Sequence, residues 1–69
     1  MNEVPNLAKN LKTLRTQMGY TQKYVAEQIG ITCQSYQAYE WGITVPTLQN
    51  LIKLARLFDV TYEELIDKQ

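Results

Sequence analysis

Residues Thr21 to Glu40 read TQKYVAEQIGITCQSYQAYE, and this stretch decides the fold. It divides into two short helical patterns, each opened by a threonine and joined by Gly30-Ile31. Thr21 and Thr32 are placed as N-caps, because a threonine oxygen accepts a hydrogen bond from an amide left unpaired in the first helical turn. Val25, Ala26 and Ile29 share one face of the first pattern, and Tyr36 and Tyr39 share one face of the second. The small Ala26 lets the next helix cross closely. Cys33, Gln34, Ser35 and Gln37 are left on the outer side of the second helix. A row of small and amide side chains at an exposed helix start suits hydrogen bonding to base edges in a DNA major groove.

Outward from this segment the chain predicts five helices and no strand, a compact all-α fold in a single domain over residues 1–69. The first helix follows Pro5-Asn6, with Asn6 as its cap and Leu7, Leu11, Leu14 and Met18 on its buried face. Gly19 ends it and Gly30 ends the second, at positions that favour a left-handed residue. Trp41 to Pro46 reads as a loop turning at Gly42. Thr47 caps a fourth helix that buries Leu48, Leu51, Ile52, Ala55 and Phe58 and leaves Lys53 and Arg56 outside. Thr61-Tyr62-Glu63-Glu64 predicts a capping box for a fifth, with Leu65 and Ile66 as its apolar positions.

Composition narrows the function. At 69 residues with 45% hydrophobic content there is one small core and no expectation of disorder. One cysteine, Cys33, and no histidine exclude a Cys/His metal cluster and an internal disulfide. The commonest general base is missing, and no Ser or Cys has an activating partner, so an enzyme is not expected. No cofactor is expected either. The polar start MNEVPN lacks an apolar h-region, and no apolar run reaches membrane-spanning length. The expectation is a soluble cytoplasmic protein acting at the nucleoid, with no separate effector domain after the fifth helix. Formal net charge is zero, with a slight basic excess before residue 41 (Lys9, Lys12, Arg15 and Lys23 against Glu3, Glu27 and Glu40). Since the electrostatic part of DNA affinity scales with phosphates neutralised, charge alone leaves DNA binding open.

From about Leu7 to Ile66 the chain resembles the helix-turn-helix family of the phage lambda and 434 repressors and Cro, also called the xenobiotic-response-element family. The resemblance is carried by Leu11-x-x-Leu14-Arg15 with Gly19, Thr21-Gln22, Val25-Ala26, Gly30-Ile31-Thr32, Tyr39-Glu40-x-Gly42 and Pro46-Thr47-Leu48, in order and at family spacing. It implies a helix-turn-helix over about residues 21–40, with recognition helix 32–40 in the major groove. Cys33, Gln34, Gln37 and Ala38 match positions that face base edges. Thr21, Gln22, Lys23, Thr32, Ser35 and Thr44 are assigned to the DNA backbone, Gln22 also bracing the recognition helix. Arg15 and Glu40 match a pair that ties the first helix to the end of the third.

Each assignment has a plainer counterpart. Gln34 pairs bidentately with adenine at about 1–3 kcal/mol of discrimination, or is a solvated polar residue. Gln37 extends the row or touches only sugar and water. Ala38 approaches a thymine methyl or nothing. Cys33 makes a small groove contact, or is a thiol activated by its helix start. The chain departs from the family in the loop Trp41-Gly42-Ile43-Thr44-Val45, where relatives place phosphate-clasping Arg, Lys or Asn. Trp41 either packs over Pro46 and Leu48 or joins Ile43 and Val45 in an exposed patch that binds a second subunit. Val60, Tyr62 and Ile66 are further dimer candidates.

The function expected is a sequence-specific DNA-binding transcriptional regulator, a repressor of bacterial or phage type. It would bind double-stranded DNA as a homodimer on a near-palindromic operator. The alternative is a protein-interaction module, antirepressor-like, that kept the fold with weak or no DNA binding.

Overall fold

Threonine caps set the starts of the central helices. In a computed structural model that describes residues 6–66, Thr21 Oγ1 accepts from the Tyr24 amide at 3.0 Å, Thr32 from Ser35 at 3.1 Å and Thr47 from Asn50 at 3.2 Å. The chain runs α1 (Leu7–Met18), α2 (Gln22–Ile29), α3 (Cys33–Glu40), α4 (Leu48–Phe58) and α5 (Tyr62–Ile66), with no strand among the described residues. A reciprocal capping box opens α5: Glu64 Oε1 accepts from the Thr61 amide at 2.8 Å, and Thr61 Oγ1 accepts from the Glu64 amide at 3.1 Å. Gly30, at φ +79°, closes α2 in the left-handed region and lets the Ile31 amide reach back to Ala26 O at 3.0 Å. Asp59 takes the same left-handed role after α4 at φ +58°, a conformation that short polar side chains tolerate better than most.

Eleven apolar residues form the core: Leu7, Leu11, Val25, Ala26, Ile29, Tyr36, Tyr39, Leu54, Ala55, Phe58 and Leu65. α2 packs on α3 and α4, while α1 spans α3, α4 and α5. Buried Asn10 of α1 donates through Nδ2 to Leu65 O at 2.8 Å, tying α1 to a carbonyl at the end of α5.

Three local expectations are corrected. Asn6 makes no side-chain capping bond, because its backbone is helical (φ −102°, ψ −4°) rather than extended as a cap requires. Met18, in the last turn of α1, is exposed. On α4, Leu48 and Ile52 face solvent, whereas Leu54, not expected inside, is fully buried. The helix sequence LQNLIKLARLF carries two overlapping apolar stripes, 48-51-52-55 and 51-54-55-58, both with helical spacing. Packing against α1, α2 and α5 selects the second.

Leu54→Ala should therefore cost about 3 kcal/mol through the cavity it leaves, while Leu48→Ala should stay within about 0.5 kcal/mol. Urea unfolding of both variants checks this; the reverse ordering would put the buried stripe on the other side of α4.

Candidate nucleic-acid interface

α3 is divided lengthwise by burial. Tyr36 and Tyr39 fill the core side, Gln34 and Ser35 are exposed on the opposite edge, and Gln37 and Ala38 are half-buried on its flanks. The Gln34 carboxamide makes no hydrogen bond among the described residues and is free to meet a ligand. Cys33 is half-buried and leans on the core, which leaves less of its thiol on the outer row than its position suggests. Thr32 Oγ1 donates to Ser35 Oγ at 2.9 Å on the surface. Thr21, Lys23 and Thr44 are exposed.

Behind this edge lies a chain of polar side chains. Arg15 of α1 grips Glu40 in a forked ion pair, Nε to Oε2 at 2.6 Å and Nη2 to Oε1 at 3.2 Å, and its Nη1 donates to Tyr20 O at 2.9 Å. The Glu40 side chain is only 2% exposed and the Arg15 side chain 14%. Gln22, the first residue of α2, donates from Nε2 to Glu40 Oε1 at 3.0 Å, and Gln37 donates from its own Nε2 to Gln22 Oε1 at 3.2 Å. Three helices thus meet through four side chains at the place where α3 must be held.

The charges respond to this contact. Burial works to raise the Glu40 carboxyl, but the hydrogen bond from Arg15, the neighbouring Tyr36 hydroxyl, the Gln22 amide and the Arg15 charge outweigh it, holding the group below its ordinary value of 4.5. The hydrogen bond to Glu40 likewise raises Arg15. Burial, and then the neighbouring Glu40 carboxylate, pushes the Tyr36 phenol well above its normal range. That hydroxyl lies beside the carboxylate without the geometry of a hydrogen bond.

The loop after α3 is apolar and open to solvent. Trp41 is 67% exposed, and Ile43 at 69%, Val45 at 63% and Leu48 at 67% are exposed with it. Trp41 continues the helical backbone (φ −85°, ψ −6°) and follows Gln34 by seven residues, so it falls on the outward side of the α3 spiral. Its amide donates to Gln37 O, and the Ile43 amide to Ala38 O, each at 2.9 Å, fastening the loop to the helix end. Of the other dimer candidates, Tyr62 is exposed, whereas Val60 and Ile66 pack partly against the core. Leu48 and Ile52 were missed as members of the apolar surface because their helical spacing reads equally well as core. The link from Gln22 to Gln37 was missed because side-chain contacts between helices leave no periodic signal.

Among the described residues no group of three His, Cys, Asp or Glu side chains could hold a metal, and no helix is long and apolar enough to cross a membrane.

Replacing Arg15 by Leu should destabilise the fold by about 3 kcal/mol, because Glu40 is left charged and buried without its partner. Pairing it with Glu40→Leu should recover much of that loss. Because the folded Glu40 pKa is depressed, its stabilisation is fully present above the unfolded value and disappears as pH falls through the folded one. Acid titration of stability should therefore show a fall below about pH 4.5 that is smaller in Glu40→Gln. Identical acid profiles would show that Glu40 is not stabilised by the pair.

Comparisons with known proteins agree with this geometry. A helix-turn-helix family model matches residues 11–65. The transcriptional repressor RstR of the cryptic phage CTXphi of Vibrio cholerae is 36% identical over 59 residues, which cover 86% of this chain and 53% of RstR. The chain spans about half the length of RstR and of several Bacillus subtilis regulators that it matches. The solution structure of the SOS-response repressor LexA from Eubacterium rectale superposes with a TM-score of 0.91 over 97% of this chain and 71% of that one, at 24% identity, a likeness of fold. The biofilm regulator SinR, solved in complex with DNA, gives a TM-score of 0.81 at 26% identity, covering 88% of this chain and 98% of that one. With its two threonine-capped helices, glycine-ended α2 and outward α3 edge, the chain belongs to the helix-turn-helix family of the lambda and 434 repressors and Cro.

Proposed function

We propose that this chain is the DNA-reading domain of a transcriptional regulator, a repressor of bacterial or phage type, acting in the cytoplasm at the nucleoid. The observation that carries the reading is the outer edge of α3, where exposed Gln34 stands on a helix fastened from behind by Gln22, Glu40 and Arg15. A base-reading side chain needs this combination, a free polar end on a rigid element. α3 enters the major groove, Gln34 reads adenine through N6 and N7, and Gln37, Ala38 and the accessible part of Cys33 flank it. Thr21, Gln22, Lys23, Thr32, Ser35 and Thr44 fix register through phosphates. The likeness to a regulator solved with DNA favours this reading over a protein-interaction module, for which neutral charge is the main argument.

One domain of this size covers few base pairs, so two copies act as a two-fold pair on a near-palindromic operator, with half-sites about one turn, ~34 Å, apart. Trp41, Ile43, Val45 and Leu48 supply the surface that pairs them. The stretch from 41 to 48, WGITVPTL, contains no charged residue, so a copy meeting itself there brings no like charges together. Exposed apolar groups of this extent mark interaction sites more often than idle surface.

Selection of bound duplexes from a random pool should return two related half-sites at that spacing. Gln34→Ala should lose about 1–3 kcal/mol of discrimination at one base position in each half and little elsewhere. Equal binding of wild type and variant to every sequence would remove Gln34 from base reading. Ile43→Glu should shift sedimentation to the monomer while leaving helical content unchanged; a dimer that survives it must pair elsewhere.

A further inference from the structure

The polar chain behind α3 has a direction, and the direction ends at the DNA-facing edge. Ionised Glu40 has only acceptor oxygens, and its carboxyl is held in that form by Arg15. The Gln22 carboxamide bonded to it must therefore turn its Nε2 toward Glu40. This leaves Gln22 Oε1 pointing at α3, an acceptor that only a donor can satisfy. Gln37 answers with its Nε2 at 3.2 Å. The Gln37 oxygen, with the second hydrogen of its Nε2, is then left without a partner among the described residues. A glutamine free on a helix surface offers either end to a base; this one is held in one orientation from two hydrogen bonds away.

We infer that Glu40, acting through Gln22, locks the Gln37 carboxamide so that Gln37 presents its carbonyl oxygen to DNA and selects a base carrying a donor in the major groove. Adenine N6 and cytosine N4 are the donors there, whereas guanine O6 and thymine O4 are acceptors that face Oε1 with like polarity and have only the second Nε2 hydrogen to meet. Phosphate oxygens are excluded as partners of that atom for the same reason. Gln34, tied to no such chain, keeps both ends of its amide for a bidentate contact. Gln22 is in this scheme a positioning residue for specificity, and the ion pair supplies polarity as well as stability. The inference rests on the DNA-reading function proposed above.

Pool selection with the wild-type chain and Gln22→Met tests it. Methionine keeps the length of the side chain and removes both hydrogen bonds. In the wild type, adenine or cytosine should be favoured about ten-fold over guanine or thymine at the base next to that read by Gln34. In Gln22→Met that preference should fall to about two-fold while the neighbouring Gln34 preference persists, an outcome that a loss of overall stability or affinity would not produce. A wild-type preference for guanine or thymine there, or a preference unchanged by Gln22→Met, overturns the inference. The lock is also read without DNA, from the side-chain amide resonances of the free protein. Gln37 protons should be shifted and slowly exchanging relative to those of Gln34, and should revert to Gln34-like behaviour in Gln22→Met. Gln37 protons indistinguishable from those of Gln34 in the wild type overturn it. A wild type that selects no duplex but shows the shifted Gln37 resonance locates the failure in DNA reading and not in the lock.

Discussion

The buried ion pair between Arg15 and Glu40 joins the stability of this domain to its surface. Arg15 projects from α1 and Glu40 ends α3, so the forked contact fixes the far end of the reading helix to the body. A charge as enclosed as Glu40 is tolerated only when its oxygens are satisfied, and here Arg15 and Gln22 share that task. Folding and the orientation of the α3 flank consequently draw on the same contact: a change that loosens Glu40 releases Gln22, and with it the bond to Gln37.

Close packing of α2 across α3 makes the arrangement possible. Ala26, 1% exposed, is small enough for the helices to approach, and Tyr36 lies wholly inside between the elements that meet there. Capping threonines at both helix starts satisfy amides of the first turn, and the first turn of α3, Cys33 to Tyr36, carries no charged residue. The chain as a whole has zero formal net charge. The uncharged loop that follows α3 exposes Trp41, Ile43 and Val45 as an apolar surface.

Much of this was legible before any coordinates. The five helices, their four threonine starts, the left-handed glycines and the inward Val25, Ala26, Ile29, Tyr36 and Tyr39 follow from spacing and local hydrogen-bond chemistry, which act over a few residues. Position along α3 likewise placed Gln34 outward, and the family resemblance paired Glu40 with Arg15 of α1. Less legible were contacts that depend on two elements meeting. Trp41 has the composition of a packing residue, yet the continuation of the α3 spiral turns it to solvent. Asn6 has the chemistry of a cap without the backbone conformation to use it.

α4 and the glutamine chain show where the boundary falls. Residues 48–58 determine a helix with apolar groups on most of its circumference, and therefore that it is buried on some side; they do not determine which side. Only docking against three other helices selects Leu54 over Leu48, because burial energy depends on what lies opposite. The sequence by itself likewise determined that Gln22, Gln37, Glu40 and Arg15 exist as polar groups near helix ends. Their joining into one directed chain is a tertiary decision, since a hydrogen bond needs atoms about 3 Å apart, and only the folded chain brings residues 15, 22, 37 and 40 that close.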